Sequence, residues 1–393
     1  MKHFKIVKPL SEYEGYVASQ DDIAHMLDTD QTGECVLYLI MYHALCEGFY
    51  VPPNVVKLIQ SNRGVLVIDY TLETMMESPD MYVHNARYQD LLNIKQQIKK
   101  YNLPAERVIV ITGNLKLESQ PEFRVINECL WRWTAPSTNQ QTKHEIVRDI
   151  ALRKPRQHKF MCLMRRPNDS RTTFAYQAFR QGFRQHGLIT SWFNSQPGHQ
   201  FYYPRERVEQ WSSRVGQSHD PHSVIKFYMS LPWMYDFEPG QEMTENPNCI
   251  TRGKQYDLFR NSYVNVVHET FYYHQQNQLF LSEKSFKSVN MLQPFLVFGH
   301  PGTLEWMRSQ GYYTFGDWWD ESYDGETNDD VRYQKLLDIV KWISEQSLEY
   351  LSDMLADQLY VLQENHANYA RHKQERYQPM WSKVKSMVDH LLD

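Results

Sequence analysis

The stretch SYVNVVHETFYYHQQNQLFLSEKSFKSVNMLQPFLVFG (262–299) decides how this chain folds. SYVNVVHET (262–270) is an apolar run of strand length with an acid, Glu269, at its end. SEKSFKSVNML then reads as a helix with Ser282 as its N-cap, and PFLVFG (294–299) returns as a second apolar strand. Parallel strands need a crossover of this length, so strand, helix, strand here predicts a parallel sheet covered on both faces. GTLEWMRSQG continues as a helix, and Gly311 supplies its stop signal.

The same stretch carries chemistry. In open α/β sheets ligands bind at the C-terminal strand ends, which is where the first strand delivers Glu269. Glu283 and Lys284 lie in the first turn of the predicted helix. A helix N-terminus favours negative charge, and a lysine there adds a point charge suited to a diphosphate. A neighbouring carboxylate is suited to accept hydrogen bonds from ribose hydroxyls.

Working outward, GVLVIDY (64–70) and ERVIVITGN (106–114) predict two further buried strands, with a helix over 85–102 between them. TGECVLYLIMYHALCEGF (32–49) reads as a buried helix opened by Thr32-Gly33. Residues 134–158 are polar with proline at both ends, a connection between domains. KFMCLMRR (159–166) begins the strands of a second domain. Residues 190–260 are rich in Pro, Gly, Asn and His and give no clear assignment. From Asp329 leucines and isoleucines recur at helical spacing, and after Pro379 a last short helix follows. The expected division is 1–150, 151–328 and a helical segment 329–393 packing back on both.

In H-E-T (268–270), F-L-S-E-K (280–284) and P-F-L-V-F-G (294–299) the sequence resembles the α1,3-fucosyltransferase family and related GT-B glycosyltransferases. That family shows F-E-N, then an aromatic-V-T-E-K motif, then P-V-V-x-G, in the same order and at similar spacing. The resemblance implies two Rossmann-like α/β domains facing across a cleft and a nucleotide-sugar donor bound as substrate, with no resident cofactor. It places Glu283 on the donor ribose, Lys284 on the diphosphate, Phe280 near the base and Glu269 in the donor pocket. H-E-T replaces F-E-N, and Phe280 replaces the usual tyrosine. The likeness spans residues 262–324 only, so sugar and acceptor do not carry over.

Other residues fit that scheme. MRRPNDSR (164–171) falls at the end of the second domain's first strand, so Arg165, Arg166 and Arg171 are candidates for the diphosphate, with a solvated basic turn capped by Asp169 as the alternative. The first domain should supply the acceptor site and a general base near the acceptor hydroxyl. Asp69, at the end of GVLVIDY, is the first candidate and Glu34 the second. Thr112-Gly113-Asn114 is expected at the same face. Asp28-Thr29-Asp30 is a D-x-D triplet without a preceding strand and is set aside, and the histidines of HDPH (219–222) lack the partners of a metal site. DWWDESYD (317–324) reads either as the floor of a sugar pocket or as a surface turn anchored by Trp318 and Trp319.

Composition bounds the alternatives. A net charge of −5 disfavours a protein whose main task is gripping a nucleic-acid backbone. Cys35, Cys46, Cys129, Cys162 and Cys249 are scattered and form no C-x-x-C pair, which argues against zinc and disulfides and for a reducing, cytoplasmic setting. The opening MKHFKIVKPLSEYEG has no signal-peptide core, and no apolar stretch is long enough to span a bilayer. The leading reading is a metal-independent hexosyl- or pentosyltransferase acting on a hydroxyl, most simply on a glycan. One rival keeps the fold and transfers sugar to a hydroxymethylated DNA base, for which Lys95, Lys99, Lys100, Arg107 and Lys116 would form the basic face. The other is a non-catalytic GT-B-like binding protein.

Overall fold

In the computed structural model the described residues are 4–7, 35–41, 49–70, 85–130, 140–164, 167–191, 193, 202–214, 221–231, 233, 254–375 and 378–392. Its first sheet is built from β1 (Phe4–Val7), β2 (Cys35–Met41), β3 (Gly64–Tyr70), β4 (Val108–Thr112) and β5 (Arg124–Asn127). Helix α1 (Pro53–Gln60) links β2 to β3, and α2 (Asn85–Lys100) links β3 to β4. All pairings are parallel and the strands lie side by side in chain order. Both crossovers therefore step the same way across the sheet, and right-handed crossovers put their helices on the same face. There Val55, Ile59, Leu91, Ile94 and Ile98 pack on Tyr38, Leu66, Ile68, Val108 and Val110.

The helix expected over 32–49 is corrected by β2, a strand paired with β1 on one side and β3 on the other. Its seven residues CVLYLIM are apolar throughout. Such a run has no period to separate helix from strand, and a strand covered on both faces has no polar alternation to betray it. Residues 42–48 and 32–34 lie outside the described residues.

The second unit contains α3 (Gln140–Ala151), β6 (His158–Met164), α4 (Asp169–Arg180), β7 (Gly187–Ser191), α5 (Arg205–Arg214), α6 (Pro221–Met229), α7 (Lys254–Arg260), β8 (Ser262–His268), α8 (Glu283–Asn290), β9 (Phe295–Phe298) and α9 (Thr303–Ser309). Its sheet is parallel in the order β7-β6-β8-β9, so the chain steps one way from β6 and later resumes on β6's other side. Helix α9 ends as anticipated at Gly311, whose φ of 81° is left-handed. The Gly311 and Tyr312 N–H groups donate to the carbonyls of Arg308 and Met307, a Schellman closure.

The long C-terminal helices are α10 (Asp329–Glu345), α11 (Leu348–Asp357), α12 (Leu359–Glu375) and α13 (Gln378–Leu392). They do not form a layer of their own. The chain divides into one unit of Met1–Trp133, Gln275–Phe280 and Lys373–Asp393 and another of Thr134–His274 and Leu281–His372. The boundary lies before residue 134 rather than at 150, because α3 is bound to α7. Asp149 accepts from Arg260, and the Tyr256 hydroxyl donates to Glu145. Helix α13 belongs to the first unit, where Met380, Trp381, Val384 and Val388 cover Leu37, Leu39, Val65, Val67, Ile109 and Ile111. This is the sheet face opposite α1 and α2.

Among the described residues no helix is long and apolar enough to cross a membrane.

Candidate functional site

The reversal of strand order between β6 and β8 makes their C-terminal ends the expected ligand crevice of the second unit. Met164 ends β6, His268 ends β8, and Glu269 follows directly after it. Arg165 and Arg166 lie outside the described residues. Asn168 caps α4 through the Arg171 N–H at 2.9 Å. The buried Arg171 side chain turns back onto β8, its Nη2 donating to the carbonyls of His268 and Glu269, both at 3.1 Å. It thus clamps the start of α4 to the end of β8.

Glu269 is 2% exposed and its carboxylate is turned into the protein. It accepts from the Ser282 N–H at 3.2 Å, the Ser282 hydroxyl at 2.5 Å, the Ser285 hydroxyl at 2.7 Å and the Thr270 N–H at 3.3 Å. A buried carboxylate needs such donors to offset its lost hydration. The acid of the H-E-T motif therefore shapes the turn that begins α8.

Ser282 caps α8 as the sequence indicates, accepting from the Lys284 N–H at 3.4 Å. Lys284 Nζ stands over that turn, 2.9 Å from the Ser282 hydroxyl, 3.3 Å from the Thr270 hydroxyl and 3.5 Å from the Glu283 carboxylate. Its side chain keeps 28% of its surface and Glu283 keeps 14%. Burial pushes the Glu283 carboxyl upward, but Lys284 and Lys287 outweigh it and hold the group below the usual glutamate range. Glu283 is an acceptor at neutral pH, beside an ammonium that reaches solvent.

Each helix N-terminus along this edge carries a side-chain cap. Asp324 accepts from the Leu304 and Glu305 N–H groups, both at 2.9 Å, and so occupies the start of α9. Sequence reasoning missed this use of Asp324. In the DWWDESYD segment Trp319 is buried and Trp318 packs on Phe315. Because Glu269 and Ser282 already bring negative charge and acceptors to the start of α8, an anion there would depend on Lys284 more than on open N–H groups.

His268 was also missed, since H-E-T was read for its acid alone. Its ring is buried, stacked on Phe298 at 4.3 Å and 3.3 Å from the Ser170 hydroxyl. Burial, reinforced by Arg171, holds it well below the usual histidine range, so it is neutral at pH 7.

In the first unit, Asp69 is the penultimate residue of β3 and is 5% exposed. Glu34 and the Asp28-Thr29-Asp30 triplet lie outside the described residues. Asn114, just past β4, holds segment 275–280. Its Oδ1 accepts from the Leu279 N–H at 3.1 Å, and its Nδ2 donates to the Asn277 carbonyl at 3.0 Å. Phe280, 3% exposed, is grouped with this unit and not with Lys284. Of the basic face considered for nucleic acid, Lys95 and Lys99 both pair with Glu122, at 3.7 and 3.1 Å. Arg107 is buried and donates to the Asn62 carbonyl. Lys95 and Lys99 thus share one carboxylate, and Arg107 is turned to the backbone.

No family model matches the sequence, and no curated protein matches it. Among solved structures, an alpha,alpha-trehalose 6-phosphate synthase from Burkholderia multivorans aligns at 10% identity with a TM-score of 0.41, over 95% of this chain and 77% of that chain. A likeness of that size carries no weight in the reading below.

Proposed function

We propose that this protein is a glycosyltransferase of the GT-B kind, with a nucleotide diphosphate sugar bound at the C-terminal ends of β6 and β8. The observation that carries the reading is Lys284, a partly exposed ammonium fixed on the first turn of α8 beside the reversal in strand order. In this scheme Lys284 takes the diphosphate and stabilises it as it leaves, the usual main term in such a transfer. Arg165 and Arg166 supply further positive charge from the β6 end. Glu283 accepts the ribose hydroxyls. Glu269 and Arg171 position the site without touching the donor, since their polar groups are engaged with the turn and with β8. Asp69, with Glu34 as second candidate, takes the proton of an acceptor hydroxyl on a glycan. No resident cofactor enters the scheme.

The test is thermal unfolding of the full chain with UDP-, GDP-, ADP- and CMP-linked sugars, followed by a hydrolysis or transfer assay on the one that binds. Stabilisation by one nucleotide class, weakened about tenfold or more in Lys284→Ala, is expected. Stabilisation by none, or binding indifferent to both Lys284→Ala and Glu283→Ala, overturns the reading.

A further inference from the structure

At the other end of the second sheet, the loop before β6 and the end of α7 enclose a polar cavity of about 220 Å³. Asp149, Lys154, Arg156, Asp257, Arg260 and Asn261 line it. Its strand ends are opposite those that carry Lys284, so β6, seven residues at roughly 3.3 Å each, sets the two places about 20 Å apart.

Arg156 is the unusual member. It is 6% exposed. Its Nη1 donates to the carbonyls of Ser262 at 2.6 Å and Phe259 at 3.2 Å, which closes the end of α7, and its guanidinium lies 5.7 Å from the Tyr263 ring centre. Among the described residues, Nε and Nη2 have no acceptor and no carboxylate pairs with the group. A buried cation ordinarily has a counter-ion. Burial brings its pKa down to about 10, with Tyr263 and Asp149 offsetting only part of the loss.

The rest of the lining does not supply that counter-ion. Asp149 accepts from Arg260 Nε at 3.1 Å and pairs with Lys154 at 3.4 Å, and Asp257 is exposed. Arg260 pairs with Glu145 as well as Asp149, and Lys154 pairs with Asp149, so of the three cations in the lining Arg156 alone makes no ion pair among the described residues.

We propose that this cavity binds a small oxyanion group, a phosphate or a carboxylate, gripped by the Nε–Nη2 edge of Arg156 and by the Lys154 ammonium. That edge is a ready two-pronged donor for either group. The volume suits one such group and a few attached atoms, not a nucleotide. The site is independent of the transferase reading.

The experiment is thermal unfolding of the full chain in phosphate, in acetate and in chloride at equal ionic strength. A rise of about 2–4 °C over chloride is expected in phosphate, acetate or both, and the responding arm names the group. The rise should persist in Lys284→Ala. It should vanish in Arg156→Lys and in Asn261→Asp, which puts a carboxylate in the cavity wall. If Arg156→Lys fails to fold, Asn261→Asp still decides. No rise in either anion, a rise kept in Asn261→Asp, or a rise lost in Lys284→Ala overturns the proposal.

Discussion

The carboxylate of Glu269 accepts hydrogen bonds from both the backbone N–H and the hydroxyl of Ser282, joining the first residue past β8 to the cap of α8. Ser285 adds a third bond from the first turn of α8. Strand end and helix start thus behave as one piece, and Lys284 takes its direction from that piece.

Glu269→Gln should cost about 1–3 kcal/mol, since it leaves buried hydroxyls short of an acceptor. Ser282→Ala should cost about 1 kcal/mol as a lost cap. The double variant should cost less than the two together, because both remove the same bonds. Urea unfolding of the four proteins measures this. Strict additivity would show that the Glu269–Ser282 contact contributes nothing.

Acid should destabilise the second unit before its carboxylates titrate. Burial, with Lys143 nearby, brings the His366 ring down to about 4. The unfolded chain takes up this proton near pH 6.5, and the folded chain refuses it until about pH 4. His366 thus contributes stability that is full above 6.5 and lost across that window, up to about 3 kcal/mol in all. Buried, neutral His268 acts in the same direction. Stability measured against pH should therefore fall less steeply between 6.5 and 4 in His366→Gln than in the parent.

Gly187→Ala should be costly although the position is an ordinary strand residue. An added Cβ would stand 2.3 Å from Phe160 Cζ across the β6–β7 pairing. Phe160 is fully buried and has nowhere to turn. Overpacking of this kind costs about 1–3 kcal/mol. Phe160→Leu in the Gly187→Ala background should recover part of it, read as a rise in the unfolding midpoint. A midpoint lowered further would mean the clash is not with that ring.

Trp381→Ala should destabilise the first unit by about 3–5 kcal/mol, the usual cost of emptying a large core site. Its ring is fully buried against the sheet face opposite α1 and α2. Hydrogen exchange should quicken in β2, β3 and β4 while β6 and β8 keep their protection. Equal loss in both sets would show that the two units do not unfold separately.

Much of this was legible in residue order. β3, β4, β6, β8 and β9, the Ser282 cap and the Gly311 stop all follow from short-range signals: apolar runs of strand length, a hydroxyl before a helix, a glycine after one. β2 was misread because its surroundings on both faces, rather than its own pattern, make it a strand. The site was half legible. Spacing put Glu269, Glu283 and Lys284 together, but it could not show that Glu269 faces inward to Ser282 and Ser285 while Lys284 reaches solvent. Pairings across long separations were invisible, among them Asp324 on α9 and Asn114 on segment 275–280.

The cover that α13 gives the first sheet also sets an order of events during synthesis. Strands β1 to β5 leave the ribosome first, yet among the described residues the helical cover of Leu37, Leu39, Val65, Val67, Ile109 and Ile111 comes from residues 380–391, some 250 positions later. A nascent first unit therefore waits with an oily face in search of a lid. A chaperone, or a premature stop before residue 380, would meet that face first.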